Sequence, residues 1–226
     1  MKWSDYVVDL HTHALPQIDD GAQSVEESVC MLLDNIKQGV TTCVLTPHCH
    51  VINSQQIHDF IQKREKHFEM LTDHFRDSRI RLLLGGEVYL DRDISQYDGV
   101  EQLCITGTNY MLVELPYHNN PDSVSEWIYS LNLLNITVIL AHIERYNNWR
   151  EIMKSISELD VIFQLNSALF LSFMGRRLAK KILSQHTRFV VSSDMHNMDK
   201  RKSTMSKAFQ IIQKKFSDNE MFMLTL

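Results

Sequence analysis

Tyr6-Val7-Val8-Asp9-Leu10-His11-Thr12-His13 joins a short apolar run to two histidines one residue apart. The apolar half reads as a buried strand. Alternate side chains of a strand share a face, so Asp9, His11 and His13 are expected to point the same way. Two imidazoles on one face at a strand's end make a pincer for a divalent metal. Such a pair is common by chance, and the residues at the ends of the other apolar runs decide its meaning.

Those runs alternate with amphipathic stretches along the whole chain. Strands are expected at 6–10, 41–46, 80–85, 110–115, 136–141, 160–165 and 188–193, several rich in Val, Ile and Leu as strands buried on both faces should be. Helices are expected at 25–38, 55–76, 123–134, 175–186 and about 200–216. Ser24 with Glu27, and Ser123 with Glu126, have the spacing of capping boxes, and Gly39 suits a C-terminal cap. No linker, repeat or low-complexity tract divides the 226 residues, so one domain spanning 1–226 is the simplest reading. Strand–helix alternation argues for an α/β fold with a parallel sheet, and seven strands in this length suit a barrel.

Ligands of such folds bind at the carboxyl ends of the strands. Strand one ends in His11 and His13, with Asp19-Asp20-Gly21 in its loop; strand two ends in Thr46-Pro47-His48-Cys49-His50. Glu87 comes directly after Gly85-Gly86, and Glu114 lies inside Leu112-Val113-Glu114-Leu115, where an unpaired carboxylate is costly to bury. Strand five ends in His142-Ile143-Glu144-Arg145, strand six in Asn166-Ser167, strand seven in Ser193-Asp194-Met195-His196. Five histidines (His11, His13, His48, His142, His196) and four carboxylates (Asp20, Glu87, Glu114, Asp194) thus crowd one end. That is too many donors for one four-coordinate ion, and suits two or three ions sharing a carboxylate. Asp9 reads as a residue orienting a histidine, and Asp19 as structural or solvated. His50 and His118 lie near the same end, within reach of a substrate. His58, His67, His74 and His186 read as solvated helix-face residues.

A net charge of −5 gives no basic footprint for nucleic acid. Met1-Lys2-Trp3-Ser4-Asp5 lacks a signal-peptide core, and no apolar run reaches membrane-spanning length, so a cytoplasmic protein without membrane insertion is expected. Mixed imidazole and carboxylate donors suit Mn²⁺, Zn²⁺ or Fe²⁺. Arg145 and Arg201 can reach over the cluster, and a guanidinium beside metals fits a phosphate substrate. These features together point to phosphoester hydrolysis. A thiol mechanism is not supported: cysteine-dependent tyrosine phosphatases need an arginine six positions after the cysteine, and here those positions after Cys30, Cys43, Cys49 and Cys104 hold Ile36, Cys49, Gln55 and Tyr110. The four cysteines read as small core or loop residues.

Asp9-Leu10-His11-Thr12-His13, Ile18-Asp19-Asp20-Gly21, Thr46-Pro47-His48, Gly85-Gly86-Glu87-Val88, Leu112-Val113-Glu114-Leu115-Pro116, Ala141-His142-Ile143-Glu144-Arg145-Tyr146 and Ser192-Ser193-Asp194-Met195-His196-Asn197 together resemble the polymerase-and-histidinol-phosphatase (PHP) superfamily. Within it they are most similar to the bacterial metal-dependent tyrosine phosphatases of capsule and exopolysaccharide operons. The resemblance runs from about residue 7 to 217. It implies a distorted (β/α)7 barrel holding three divalent ions, usually manganese. By similarity, His11, His13, Glu87 and Asp194 hold one ion. Glu87, Glu114 and His142 hold the second, and Asp20, His48 and His196 the third. Arg145 and Arg201 match phosphate-contacting arginines, and a metal-bridged hydroxide is the implied nucleophile. The implied substrate is phosphotyrosine on the C-terminal tail of a bacterial tyrosine kinase that controls polysaccharide synthesis. Family members usually continue past the last helix, whereas this sequence stops at Phe222-Met223-Leu224-Thr225-Leu226. Histidinol-phosphate phosphatase is the nearest alternative, because it shares the metal set. Amidohydrolases also carry a first-strand His-x-His but often use a carboxylated lysine. A non-catalytic binding module is the remaining alternative.

Overall fold

The computed structural model describes residues 7–185 and 188–216. The expectations for Met1–Asp5, Tyr6, His186 and the tail ending at Leu226 lie outside them. Strands and helices alternate in the order β1 (Val8–Thr12), α1 (Val25–Lys37), β2 (Thr42–Leu45), β3 (His48–Cys49), α2 (Ser54–Thr72), β4 (Arg81–Leu84), β5 (Glu87–Tyr89) and β6 (Tyr110–Glu114). After β6 come α3 (Pro121–Leu133), β7 (Thr137–Leu140), α4 (Trp149–Ser155), β8 (Val161–Asn166), α5 (Phe173–Leu183), β9 (Phe189–Ser192) and α6 (Met205–Lys215). Each of the seven expected strands is present. Two apolar runs are each succeeded by a further short strand: Thr46-Pro47 separates β2 from β3, and Gly85-Gly86 separates β4 from β5. Proline donates no ladder hydrogen bond and glycine offers no side chain to pack, which accounts for the breaks.

Every strand pair is parallel, in the orders β1-β2-β4 and β3-β5-β6-β7-β8-β9. The ends of β1 and β9 also meet. Thr12 bridges Met195, the His13 amide donates to the Met195 carbonyl at 2.9 Å, and the Asp194 amide donates to the His11 carbonyl at 2.9 Å. One face of the strands buries a small core including Val8, Leu10, Val44, Leu112, Ile139 and Val190. The other face packs a larger core against the helices, with Cys43, Leu45, Val113, Val138, Phe163 and Phe189 among its members.

The helices start where short polar side chains satisfy their first amides. Ser24 accepts from the Glu27 amide, and Ser172 from the Gly175 amide. Gly39, at φ +88°, comes after the end of α1 in the left-handed conformation that suits a C-terminal cap. α3 departs from expectation: it begins at Pro121, capped by Asn120, so Ser123 and Glu126 lie within its first turns. Proline's fixed φ suits the first helical position, and that moves the start back. α4 is an addition to the expected helices; seven residues carry too little periodicity to register in the sequence. Among the described residues no helix is long and apolar enough to cross a membrane.

Candidate metal centre

Asp9 does not share a face with the two histidines. The register of β1 on β2 shifts between Asp9 and Thr12, since Asp9 faces Cys43 and Thr12 faces Leu45. β1 therefore carries one extra residue, and a bulge of this kind reverses the alternation of side chains beyond it. Leu10 joins the small core. His11, its neighbour, nevertheless turns to the same side, with Nδ1 3.2 Å from Gln164 Oε1. Asp9 faces the helices instead. Its Oδ1 accepts from the Ser193 amide at 2.8 Å and its Oδ2 from Asn35 Nδ2 at 3.1 Å. It ties β1 to the end of β9 and to α1, and orients no histidine. That orienting role belongs to Asp19, whose Oδ2 lies 2.7 Å from His13 Nδ1 and accepts from the His48 amide at 3.0 Å.

Glu87 is the hub. It is buried, and its Oε2 lies 3.3 Å from His11 Nε2, 3.2 Å from His13 Nε2 and 3.0 Å from His48 Nδ1. Its Oε1 lies 2.9 Å from His142 Nε2, which is 3.5 Å from Glu114 Oε1. Asp194 Oδ1 lies 3.5 Å from His11 Nε2 and 3.7 Å from His13 Nε2. Asp20 Oδ1 stands 3.3 Å from His48 Nε2 and 3.4 Å from His196 Nε2. Three sets of donor atoms converge tightly enough to grip an ion: His11, His13 and Asp194; His48, Glu87 and Glu114; and His13, Asp20, His48 and His196. The structure thus brings the nine anticipated residues together at the carboxyl ends of the strands. His48 faces both Glu87 and Asp20, whereas the resemblance gives it only the second of these neighbours.

The donor set fits divalent metal ions. It is all nitrogen and oxygen, as hard or borderline ions prefer. Glu87 Oε2, His142 Nδ1 and His196 Nε2 are buried with no hydrogen-bond partner among the described residues. Charge is concentrated there as well. Burial alone would raise the Glu87 carboxyl, but His11, His13 and His142 outweigh it and hold that group well below the usual carboxylate range. Burial opposes charge on His11 too, yet Glu87 and Asp194 push its pKa up to about 9; His48, beside Glu87, also reaches about 9. Burial and the neighbouring His13 drive His196 down to about 4. Metal binding must therefore displace protons from His11 and His48, which makes it pH-dependent.

His142 and Asp194 sit at φ 31° and 53°. The left-handed region costs a residue with a Cβ about 1 kcal/mol or more. Polar neighbours hold this geometry. Gln164 Oε1 accepts from the His142 amide at 2.7 Å, Gln164 Nε2 donates to Asn166 Oδ1 at 2.8 Å, and Asn166 Nδ2 donates to Asp194 Oδ2 at 3.0 Å. Both arginines reach the same carboxylate. Arg145 Nη2 pairs with Asp194 Oδ2, and Arg201 Nη2 donates to both Asp194 oxygens at 3.0 and 3.1 Å. Their side chains remain 45% and 38% exposed, open to an incoming anion.

Gln164, Asn166, Asp19 and Glu144 support the site and were not singled out as such in the sequence. Asn166 at a strand end, Asp19 in the loop after the first strand and Glu144 between His142 and Arg145 each carry a positional signal in the sequence, and Gln164 carries none. Glu144 is half-buried with its carboxyl turned inward; it accepts from the Asn166 amide at 3.1 Å, and burial pushes its carboxyl up to about 7. A folded pKa above the ordinary 4.5 means that its contribution to stability is intact below pH 4.5 and is lost as pH rises through 7. In the metal-free protein the loss is about 3 kcal/mol. Glu144→Gln is expected to flatten the thermal-melting profile of that form across this window.

The loop after β1 depends on Gly21. A Cβ there would lie 2.0 Å from the His13 carbonyl oxygen and 2.5 Å from His13 Cβ. Glycine alone lets the loop fold back over His13, where the Ala22 amide donates to the His13 carbonyl at 3.0 Å. Gly21→Ala is expected to destabilise the fold by about 3 kcal/mol in urea unfolding.

The remaining histidines divide. His50 Nε2 lies 3.2 Å from Asp91 Oδ2 and its ring meets Tyr89 edge-on, while His118 meets Tyr117 edge-on. Neither touches the cluster. His58 and His74 are exposed on α2 and just after it, but His67 is half-buried, with Nδ1 2.7 Å from the Pro16 carbonyl. Cys43, Cys49 and Cys104 are buried, and burial pushes their thiols up to about 12; Cys30 is exposed on α1, in neither the core nor the loop position expected.

The model of a family described as capsular polysaccharide synthesis, CpsB/CapC, matches residues 7–226. Tyrosine-protein phosphatase CpsB of Streptococcus pneumoniae is 29% identical over 228 residues, covering 93% of this chain and 91% of that protein. Tyrosine-protein phosphatase YwqE of Bacillus subtilis (strain 168) is 26% identical over 227 residues, covering 97% and 89%. A solved structure described as belonging to YwqE from Bacillus subtilis and CpsB from Streptococcus pneumoniae, unique metal-dependent tyrosine phosphatases, superposes with a TM-score of 0.77. That match has 23% identity and covers 95% of this chain and 90% of the other, a likeness of fold. The phosphotriesterase homology protein of Escherichia coli, solved with phosphate in its active site, matches more loosely, with a TM-score of 0.52 and 11% identity over 96% of this chain and 94% of that one.

Proposed function

The chain belongs to the capsular polysaccharide synthesis CpsB/CapC family, and from that premise we propose that it is a metal-dependent protein-tyrosine phosphatase. Five histidines and three further carboxylates gathered around Glu87, with two arginines beside them on Asp194, carry this reading. We read the strands as one distorted (β/α)7 barrel formed by a single domain over 1–226, on the strength of the contact between the ends of β1 and β9.

His11, His13, Glu87 and Asp194 would hold one divalent ion. Glu87, Glu114 and His142 would hold a second, and Asp20, His48 and His196 a third, with Mn²⁺ the proposed metal and Fe or Zn the alternatives. Such ions, when bound, acidify water and neutralise the oxygens of a phosphoryl group. Arg145 and Arg201 bind those oxygens through charge-assisted hydrogen bonds, leaving Asp194 as the anion arrives. Asp19 fixes the His13 ring, and Gln164 with Asn166 fixes His142 and Asp194. Tyrosine leaves as a phenolate of pKa about 10, so the demand on a general acid is modest. Fixed charge and position supply most of the acceleration. The substrate proposed is phosphotyrosine on the C-terminal tail of the bacterial tyrosine kinase that controls capsule or exopolysaccharide synthesis. The cytoplasm is the compartment proposed, supported by four unpaired cysteines.

The test compares initial rates on a phosphotyrosine peptide, the matching phosphoserine peptide and histidinol phosphate, with manganese present. Fastest turnover of phosphotyrosine supports the proposal. Preference for histidinol phosphate would move the chain to that activity, and no turnover of any substrate would contradict both.

A further inference from the structure

We propose that the exposed basic face of α5 is a docking surface for acidic sequence flanking the phosphotyrosine of a protein substrate, an inference that rests on the phosphatase reading above. From residue 161 to residue 193 the sequence holds no Asp or Glu, yet it carries Arg176, Arg177, Lys180 and Lys181 within a chain of net charge −5. Arg177, Lys180 and Lys181 are exposed on α5. Among the described residues no carboxylate pairs with Arg177 or Lys181. Large apolar side chains stand beside these cations: Phe173 is 70% exposed and Met174 69%.

The surface is grooved. One shallow cleft of 320 Å³ is lined by Phe173, Arg176, Arg177, Lys180 and Lys215. A second, of 410 Å³, is lined by Met174, Gly175, Arg177, Leu178 and Lys181. Arg177 borders both. Paired clefts flanked by cations suit an extended acidic segment with apolar side chains better than they suit a flat bilayer.

Its place in the fold gives the surface a purpose. α5 comes after the end of β8, where Asn166 Nδ2 donates to Asp194 Oδ2 at 3.0 Å. The Ser167–Leu171 turn that joins them is tied by Ser167 Oγ, 2.7 Å from Thr204 Oγ1. α5 also packs against the turn Ile143–Arg145. A peptide whose phosphate meets Arg145 can therefore extend onto the neighbouring α5. Each exposed ion pair contributes little alone, but several in a row, with Phe173 and Met174 covered, set a preference among peptides.

The experiment uses the full chain with manganese, p-nitrophenyl phosphate, and two phosphotyrosine peptides that differ only in Glu or Gln on both flanks. Arg177→Glu/Lys181→Glu is expected to raise KM for the Glu peptide about tenfold. KM for the Gln peptide and turnover of p-nitrophenyl phosphate should stay as in the parent protein. The parent's preference for the Glu peptide should also shrink with added salt. An unchanged KM ratio in the variant would overturn the docking surface, and so would loss of binding to phosphatidylglycerol vesicles with peptide KM unaltered, which would assign the patch to lipid. Absence of p-nitrophenyl phosphate turnover in the parent protein would count against the phosphatase reading itself, so the two failures are distinct.

Discussion

Glu87→Gln is expected to lower turnover of a phosphotyrosine peptide on the order of 10³-fold or more, with a matching fall in bound metal. Among the described residues no other carboxylate pairs with as many histidines of the cluster. Its two oxygens contact His11, His13, His48 and His142 at 2.9–3.3 Å. Glutamine keeps the size but removes the charge and replaces one acceptor oxygen with a donor, which no metal accepts. The loss should appear in kcat at saturating metal as well as in metal affinity, because the carboxylate is shared between two of the proposed ions. Metal analysis by mass spectrometry alongside steady-state kinetics checks it. A Glu87→Gln protein that keeps its metal and its turnover would remove Glu87 from the centre of the mechanism.

Arg145→Ala is expected to reduce kcat/KM by about 10²–10³-fold while leaving bound metal unchanged. The guanidinium contacts Asp194 but is nearly half exposed, so it has both a reason to be held there and freedom to turn toward phosphate. Arg145→Lys should restore little, since a lysine cannot offer two parallel donors to a phosphoryl group. Arg201→Ala should act in the same direction, and the double variant should lose less than the product of the two, because both guanidiniums serve one anion. If Arg145→Ala lowered metal content and left kcat/KM per bound metal unaltered, Arg145 would be a counter-ion for Asp194 and not a phosphate ligand.

The alternation of apolar runs and amphipathic helices was legible from one end of the chain to the other, because both periodicities are local. So was the gathering of His11, His48, Glu87, Glu114, His142 and Asp194: parallel strands place all their carboxyl ends on one side, and each residue could be assigned to an end by counting. The features that stayed hidden depend on contacts between distant segments. The bulge in β1 turns Asp9 away from His11, and it is visible only in the pairing with β2. Gln164 looks like any polar residue in a strand until His11 and His142 are seen against it. Asp19 and Asp20 are adjacent and chemically alike, and only the loop's path over His13 gives one the role of orienting His13 and the other the edge beside His48 and His196. The exposure of Cys30 and the partial burial of His67 were missed for the same reason, since each depends on which neighbour packs against its helix.

Metal dependence is the central claim, and one assay reads it. Chelator-stripped protein is given a phosphotyrosine peptide before and after addition of manganese, with a native sample alkylated in parallel. No turnover without metal, recovery with manganese, and full turnover after alkylation confined to Cys30 is the result expected, since the other three thiols are buried. Turnover that persists in the stripped protein, or that is lost on alkylation while metal remains bound, would contradict a metal-centred phosphatase.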